Sequence, residues 1–169
     1  LHRSPGSWFA FVRSIGDLDG TSGDVLRTHG DWFDDLERTP MQRSYQMVVL
    51  LALLELGALP GGEAKLDEIA ERFELVMKRS DPLRMEFEDG TRRSNVKQLL
   101  RQSPIPAITE TKRGPGSSPF FAPGKDPIRS TIAVAPELRD AFVAMTREII
   151  EWRLAEHVDS AKHLGGNPD

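Results

Sequence analysis

TPMQRSYQMVVLLALLELG, residues Thr39 to Gly57, is the most apolar stretch of this 169-residue chain and organises everything around it. Thr39 as a cap, Pro40 at the first helical position and Gln42 close behind predict a helix start at Pro40. Met41, Tyr45 and the block Met47 to Leu54 carry that helix to Leu56, and Gly57 stops it. Its second half is apolar on nearly every face, so it is expected to be the central buried helix rather than an exposed partner groove.

Outward toward the N-terminus, Trp8, Phe9, Phe11, Val12 and Ile15 predict one short helix before Gly16. Val25, Leu26, His29, Trp32, Phe33 and Leu36 recur at helical spacing and predict a second, with Gly20 to Gly23 as the turn between them. His29 falls on the apolar stripe, where a packed imidazole is the expectation. The run Asp31, Asp34, Asp35, Glu37 reads as a solvated helix face.

Outward toward the C-terminus, Pro60, Gly61 and Gly62 mark a turn, and Leu66 fits a very short strand. Asp67 is expected to cap a helix with Ile69, Ala70, Phe73, Val76 and Met77 inward and Glu68, Glu71, Arg72 and Glu74 outward. Residues 80–91 read as loop, bounded by Asp81, Pro82 and Gly90. A third helix is expected from Thr91 or Ser94 to Gln102, with Val96, Leu99 and Leu100 inward. Ile105 to Thr111 then reads as extended, Lys112 to Ser118 as a long tip, Phe120 and Phe121 as renewed β character, and Ile128 to Val134 as a returning strand. Pro136 opens a final helix whose seam, Leu138, Phe142, Met145, Ile149 and Trp152, needs a cover.

Helix, short strand, helix, helix and hairpin is the order of a winged helix. The expected fold is therefore mainly α with a small β-hairpin. Residues 1–39 form a helical N-terminal extension, 40–135 a winged-helix-like module, and 136–169 a C-terminal helix packed on it with a disordered tail. About a dozen residues separate the second and third helices, more than the three or four of a tight helix-turn-helix.

Charge gives this order a function. The chain carries −4 overall, yet residues 91–130 hold eight basic and two acidic side chains. The positive excess thus falls on the expected recognition helix and wing, as Arg92, Arg93, Lys97, Arg101, Lys112, Arg113, Lys125 and Arg129, where phosphate contacts would be made. Ser117 and Ser118 add hydroxyls at the tip. A solvated basic loop is the competing reading of the same residues.

Other classes lose ground on composition. No cysteine is present, which removes disulfides, thiolate metal sites and a cysteine nucleophile and suits a reducing cytoplasm. The longest apolar run, Met47 to Leu54, is far short of the roughly 20 residues of a membrane span. Histidines 2, 29, 157 and 163 have no metal-ligand spacing, Gly124 and Lys125 lack the earlier glycine of a phosphate loop, and no serine sits in a nucleophile elbow. No catalytic residue, metal or cofactor is expected. A chain opening on Leu1 is expected to be a segment of a larger polypeptide.

Three strings carry a resemblance: PGSWFAFVRSIG from Pro5, the stretch from Thr39 quoted above, and EIIEWRLAEHV from Glu148. They resemble the region beyond the motor in long bacterial DEAD/DEAH-type superfamily two helicases, where similar Ser-Tyr-x-Met and Trp-Arg-Leu-Ala strings recur. The resemblance implies an accessory domain of a DNA-remodelling or phage-defence ATPase and transfers no catalytic residue. The expectation is a non-catalytic, cytoplasmic module that binds nucleic acid, DNA before RNA, beside a helicase motor or other domains of the same polypeptide. The alternatives are a protein-interaction module docking on a motor or partner subunit and a stand-alone transcriptional regulator.

Overall fold

The computed structural model describes residues 20–109, 120–124 and 126–165, without the side chains from 161 onward. Along it run helices α1 (Gly20–Thr28), α2 (Gly30–Arg38) and α3 (Tyr45–Glu55), strand β1 (Glu63–Ala64), and helices α4 (Leu66–Met77), α5 (Asp81–Gly90), α6 (Val96–Gln102) and α7 (Pro104–Thr109). Strand β2 (Ile128–Arg129), a 3₁₀ turn (Pro136–Leu138) and helix α8 (Arg139–Gly165) complete it. The architecture is mainly helical with one small antiparallel sheet, β1 against β2. The expected first helix at Trp8 to Ile15, the tip Lys112 to Ser118 and the end of the tail lie outside the described residues.

Helix α3 is central, as its composition requires. Every residue from Met47 to Leu54 is buried, and α4, α7 and α8 all pack on it. It ends at Gly57, whose φ of +79° is the left-handed conformation that lets the chain turn away. Its start departs from expectation. Thr39 closes the preceding helix instead, with its amide and hydroxyl both donating to Asp35 O, at 2.9 and 2.6 Å. Helix α3 begins five residues later, and Ser44 at its cap position makes no capping bond with its own side chain.

The long amphipathic seam of α8 finds its cover in α1, α2, α3 and α5. Phe142, Met145, Ile149, Ile150 and Leu154 are buried there. Trp32 stacks on Phe142 at 6.3 Å, and its indole N–H donates to the buried Thr146 hydroxyl at 3.1 Å. Gly20 to Gly23 is not a turn but the first part of α1, and the stripe from Val25 to Leu36 is broken at His29, after which Gly30 starts α2. The imidazole of His29 packs edge-on against Phe142 at 5.3 Å.

Two further corrections concern segments read as loop or strand. Residues 81–90 are helical: the Ser80 hydroxyl accepts from Leu83 N, and Pro82 stands in the first turn, where its missing N–H would have had no intrahelical partner anyway. Leu83 and Phe87, one turn apart, supply the buried face. Ile105 to Thr109 is helical for the same reason. Pro104 takes the first position, and Ile105 and Ile108 reach the core from the short helix it opens.

The sheet is assembled differently from the expected hairpin. Glu63 lies opposite Arg129 and Ala64 opposite Ile128, so the returning strand pairs with the residues just before α4. On its other side Phe121 bridges to Ser130, with Ala122 N donating to Arg129 O at 3.0 Å and Thr131 N to Phe120 O at 2.8 Å. The chain therefore returns on itself from Ala122 to Arg129. Asp126 anchors it by accepting from Leu66 N at 2.9 Å, which satisfies an orphan amide at the start of α4. That helix starts at Leu66, ahead of the expected Asp67 cap, with the Glu68 carboxylate accepting from Lys65 N at 2.9 Å.

Candidate nucleic-acid interface

Five of the eight cations singled out by sequence are described. Lys97 and Arg101 stand one turn apart on α6, on the side opposite the buried Leu99 and Leu100. Arg92 and Arg93 are not on that helix; they lie in the turn before it, and Asn95 caps it by accepting from Gln98 N at 2.9 Å. All four are exposed. Arg129 is exposed on β2. Lys112, Arg113 and Lys125 lie outside the described residues.

Three of those five cations already hold a carboxylate. Arg92 Nη2 is 3.4 Å from Asp89 Oδ1, at the end of α5. Lys97 Nζ meets Asp67 Oδ1, in the first turn of α4. Arg129 places Nε and Nη2 on Glu63 Oε1 at 3.1 and 2.8 Å, directly across the β1–β2 ladder. The hydrogen bond and charge of Lys97, with a smaller contribution from Arg101, hold the Asp67 carboxyl below its ordinary value. Asp89 stands three residues before Arg92, so that pair is local, but Asp67 and Glu63 could not be assigned from the sequence because each reaches its cation from an element that only the tertiary fold brings alongside.

The face is thus a mosaic. Between α4 and α6 runs a groove of about 610 Å³ whose lining includes Asp67, Glu68, Glu71 and Glu74 against the single cation Lys97. A polyanion has no favourable path along it. Among the described residues of this face, the outer side of α6, the turn before it and the edge at Arg129 are where phosphates could be met.

Two other charged clusters organise the molecule. Glu55, at the end of α3, receives a bidentate pair from Arg79 at 2.9 and 2.9 Å and single bonds from Arg72 and Arg147 at 3.2 Å each. Burial pushes its carboxyl up, but the bonds from Arg79, Arg72 and Arg147 outweigh that and bring it down to about 2. Glu86, on α5, accepts from Ser44 with one oxygen and meets His157 Nε2 of α8 with the other. The Ser44 hydroxyl thus faces the carboxylate rather than the imidazole, and Ser44 is fully buried, so the trio joins helices instead of forming a nucleophile and base.

The remaining candidates read as packing or solvated surface. Burial pushes the imidazole of His29 below its ordinary value. Asp31 and Asp34 are exposed, while Asp35 and Glu37 are half-buried. Among the described residues no three histidine or acidic side chains come together as a metal site, and no helix is long and apolar enough to cross a membrane. Comparison of the chain with known protein families, with curated proteins and with solved structures found no match.

Proposed function

We propose that this chain is a non-catalytic nucleic-acid-binding module with a winged-helix-like order, working as an accessory domain of a helicase or related DNA-processing or defence enzyme. The observation that supports it most is the sheet. A strand lying between two helices, Glu63–Ala64, pairs with a returning strand, Ile128–Arg129, that also bridges to Phe121, and the basic turn and helix from Arg92 to Arg101 lie in the chain between them. Helices α5 and α7 stand in the same interval and depart from the plain helix, strand, helix, helix and hairpin order, but the arrangement keeps one basic helix and one β edge of the kind a winged helix presents to a duplex. The link to a helicase rests on the resemblance of the three quoted strings.

The test is a titration of labelled duplex and forked DNA at several salt concentrations. Sequence-independent binding through phosphates gives a dissociation constant of about 10⁻⁴ to 10⁻⁶ M near physiological salt and a steep fall as salt rises. No detectable binding at low salt removes the reading.

One observation favours the alternative, a protein-interaction module. Leu75 on α4 is 59% exposed, and a groove of about 490 Å³ beside it is lined by Leu56, Glu68, Glu71, Arg72, Glu74 and Lys78. An apolar side chain among glutamates suits a basic polypeptide better than a nucleic acid.

A further inference from the structure

Each of the three paired cations on the candidate face draws its carboxylate from a different element: Glu63 from β1, Asp67 from α4 and Asp89 from α5. Glu63 and Asp67 reach their cations across elements, whereas Asp89 stands three residues before Arg92 and is shared with Arg43 at 3.3 Å. They sit at the junctions that build the face, and the groove beside Lys97 extends the acidic side with Glu68, Glu71 and Glu74. Arg93 and Arg101, in contrast, have no ion-pair partner among the described residues.

We propose that Glu63, Asp67 and Asp89 act as built-in competitors of phosphate, holding three cations of the face so that a polyanion must displace a carboxylate to gain each contact. This rests on the nucleic-acid reading above and adds the regulation of that same face. When a phosphate takes a free arginine it releases its condensed counterions, and binding weakens with salt by about 0.9 in the logarithmic slope per contact on duplex DNA. When it takes an arginine or lysine from a carboxylate, the freed carboxylate recruits a cation from solution. Release and uptake then nearly cancel, so a paired cation adds little affinity and little salt dependence. The fullest contributions come from Arg93 and from Arg101, whose charge acts on Asp67 without an ion pair to it.

The experiment uses the full chain and labelled duplex DNA across a salt series. A triple variant, Glu63→Gln, Asp67→Asn and Asp89→Asn, is compared with the parent and with a second triple variant of equal charge, Asp34→Asn, Glu137→Gln and Glu148→Gln, whose carboxylates are exposed on α2, the 3₁₀ turn and α8. The first variant is expected to bind about tenfold tighter at low salt, with a slope steeper by about one unit for each freed cation and up to about three in all. The control keeps the parent's slope. Thermal melts of all three proteins keep binding separate from folding. If the parent binds and the first variant has the parent's slope, the competitor role is overturned and the nucleic-acid reading stands. If neither parent nor variant binds at the lowest salt, both are overturned together.

Discussion

Glu86 caps the helix that Ser44 opens. One of its carboxylate oxygens accepts from the Ser44 amide at 3.0 Å and from the Ser44 hydroxyl at 2.7 Å, across 42 residues of chain. The other oxygen meets His157, and the Glu86 carbonyl accepts from the Tyr45 hydroxyl at 2.7 Å. A single residue of α5 therefore supplies the N-terminal cap of the buried helix and holds the C-terminal helix against it. A local cap does the first of these jobs in most helices; here it is done by a side chain from another element.

Glu86→Ala leaves the buried Ser44 hydroxyl and its amide without their acceptor, at a cost of about 1–3 kcal/mol per stranded group. Denaturant melts should show a clear fall in midpoint, and Glu86→Gln, which keeps one acceptor oxygen, should fall less. Equal midpoints for all three proteins would remove the capping role. Burial opposes the charge of Glu86, but the bonds from Ser44 and His157 outweigh it and hold its carboxyl below the ordinary value. The stability it contributes is thus present above the unfolded carboxyl pKa and is lost as pH falls through the lower folded value.

The same sign applies to Glu55, over a wider pH window. Its carboxyl drops from 4.5 to about 2 on folding, so its contribution is complete above about pH 5 and drains away between there and pH 2. That difference bounds the contribution at about 3 kcal/mol, and the three arginines, each more than a third exposed, reduce it through solvent screening. Glu55→Gln should lower the melting temperature at neutral pH and flatten the acid limb of the stability curve. A variant with the parent's full acid limb would mean that other carboxylates govern acid unfolding.

Gly90 closes α5 where the chain passes Tyr45. A β-carbon there would strike the Tyr45 hydroxyl and come within 3.1 Å of its ring and 3.2 Å of Leu99. Tyr45 cannot easily yield, being 8% exposed and bonded to Glu86 O. Gly90→Ala should destabilise by about 1–3 kcal/mol, as overpacking does. Adding Tyr45→Phe should recover part of that loss, a coupling that a double-mutant cycle measures. Simple additivity of the two changes would show that the clash is relieved elsewhere.

Arg93 and Arg101 give the sharpest test of the face. Replacing both with alanine should weaken binding to all DNA sequences alike and reduce the salt slope by about two units, with an unchanged melting temperature because exposed charges contribute little to stability. Ile149, fully buried on α8, should behave oppositely. Ile149→Ala should cost about 2–5 kcal/mol of stability while leaving the slope of the folded fraction as it was. Undiminished binding by the double arginine variant would reduce the basic segment to solvated surface.

The buried helix was legible in the chain because eight consecutive apolar residues, Met47 to Leu54, leave no polar face to turn toward water, and Gly57 supplies the stop. The inward faces of α4 and α8 were legible for the related reason that helical spacing alone sorts apolar from charged positions. Proline was ambiguous. At Pro82 and Pro104 it opens helices where local reading saw loop and strand, since the same fixed φ suits both and only burial of Leu83, Phe87, Ile105 and Ile108 decides. The eight cations were visible in the sequence as a charge excess, but their state was not. Asp89 beside Arg92 is a local pair, but the pairing of Arg129 and Lys97 depends on Glu63 and Asp67 arriving from other elements, and an ion pair of that kind is set by distances between helix and strand ends. Glu86 over Ser44 and Asp126 over Leu66 follow the same physics. Local pattern determines which residues seek burial and where the strongly periodic helices form; the tertiary structure decides the short proline-opened helices and which polar group meets which, because hydrogen bonds and ion pairs require a specific partner at a specific distance and hydrophobic burial does not.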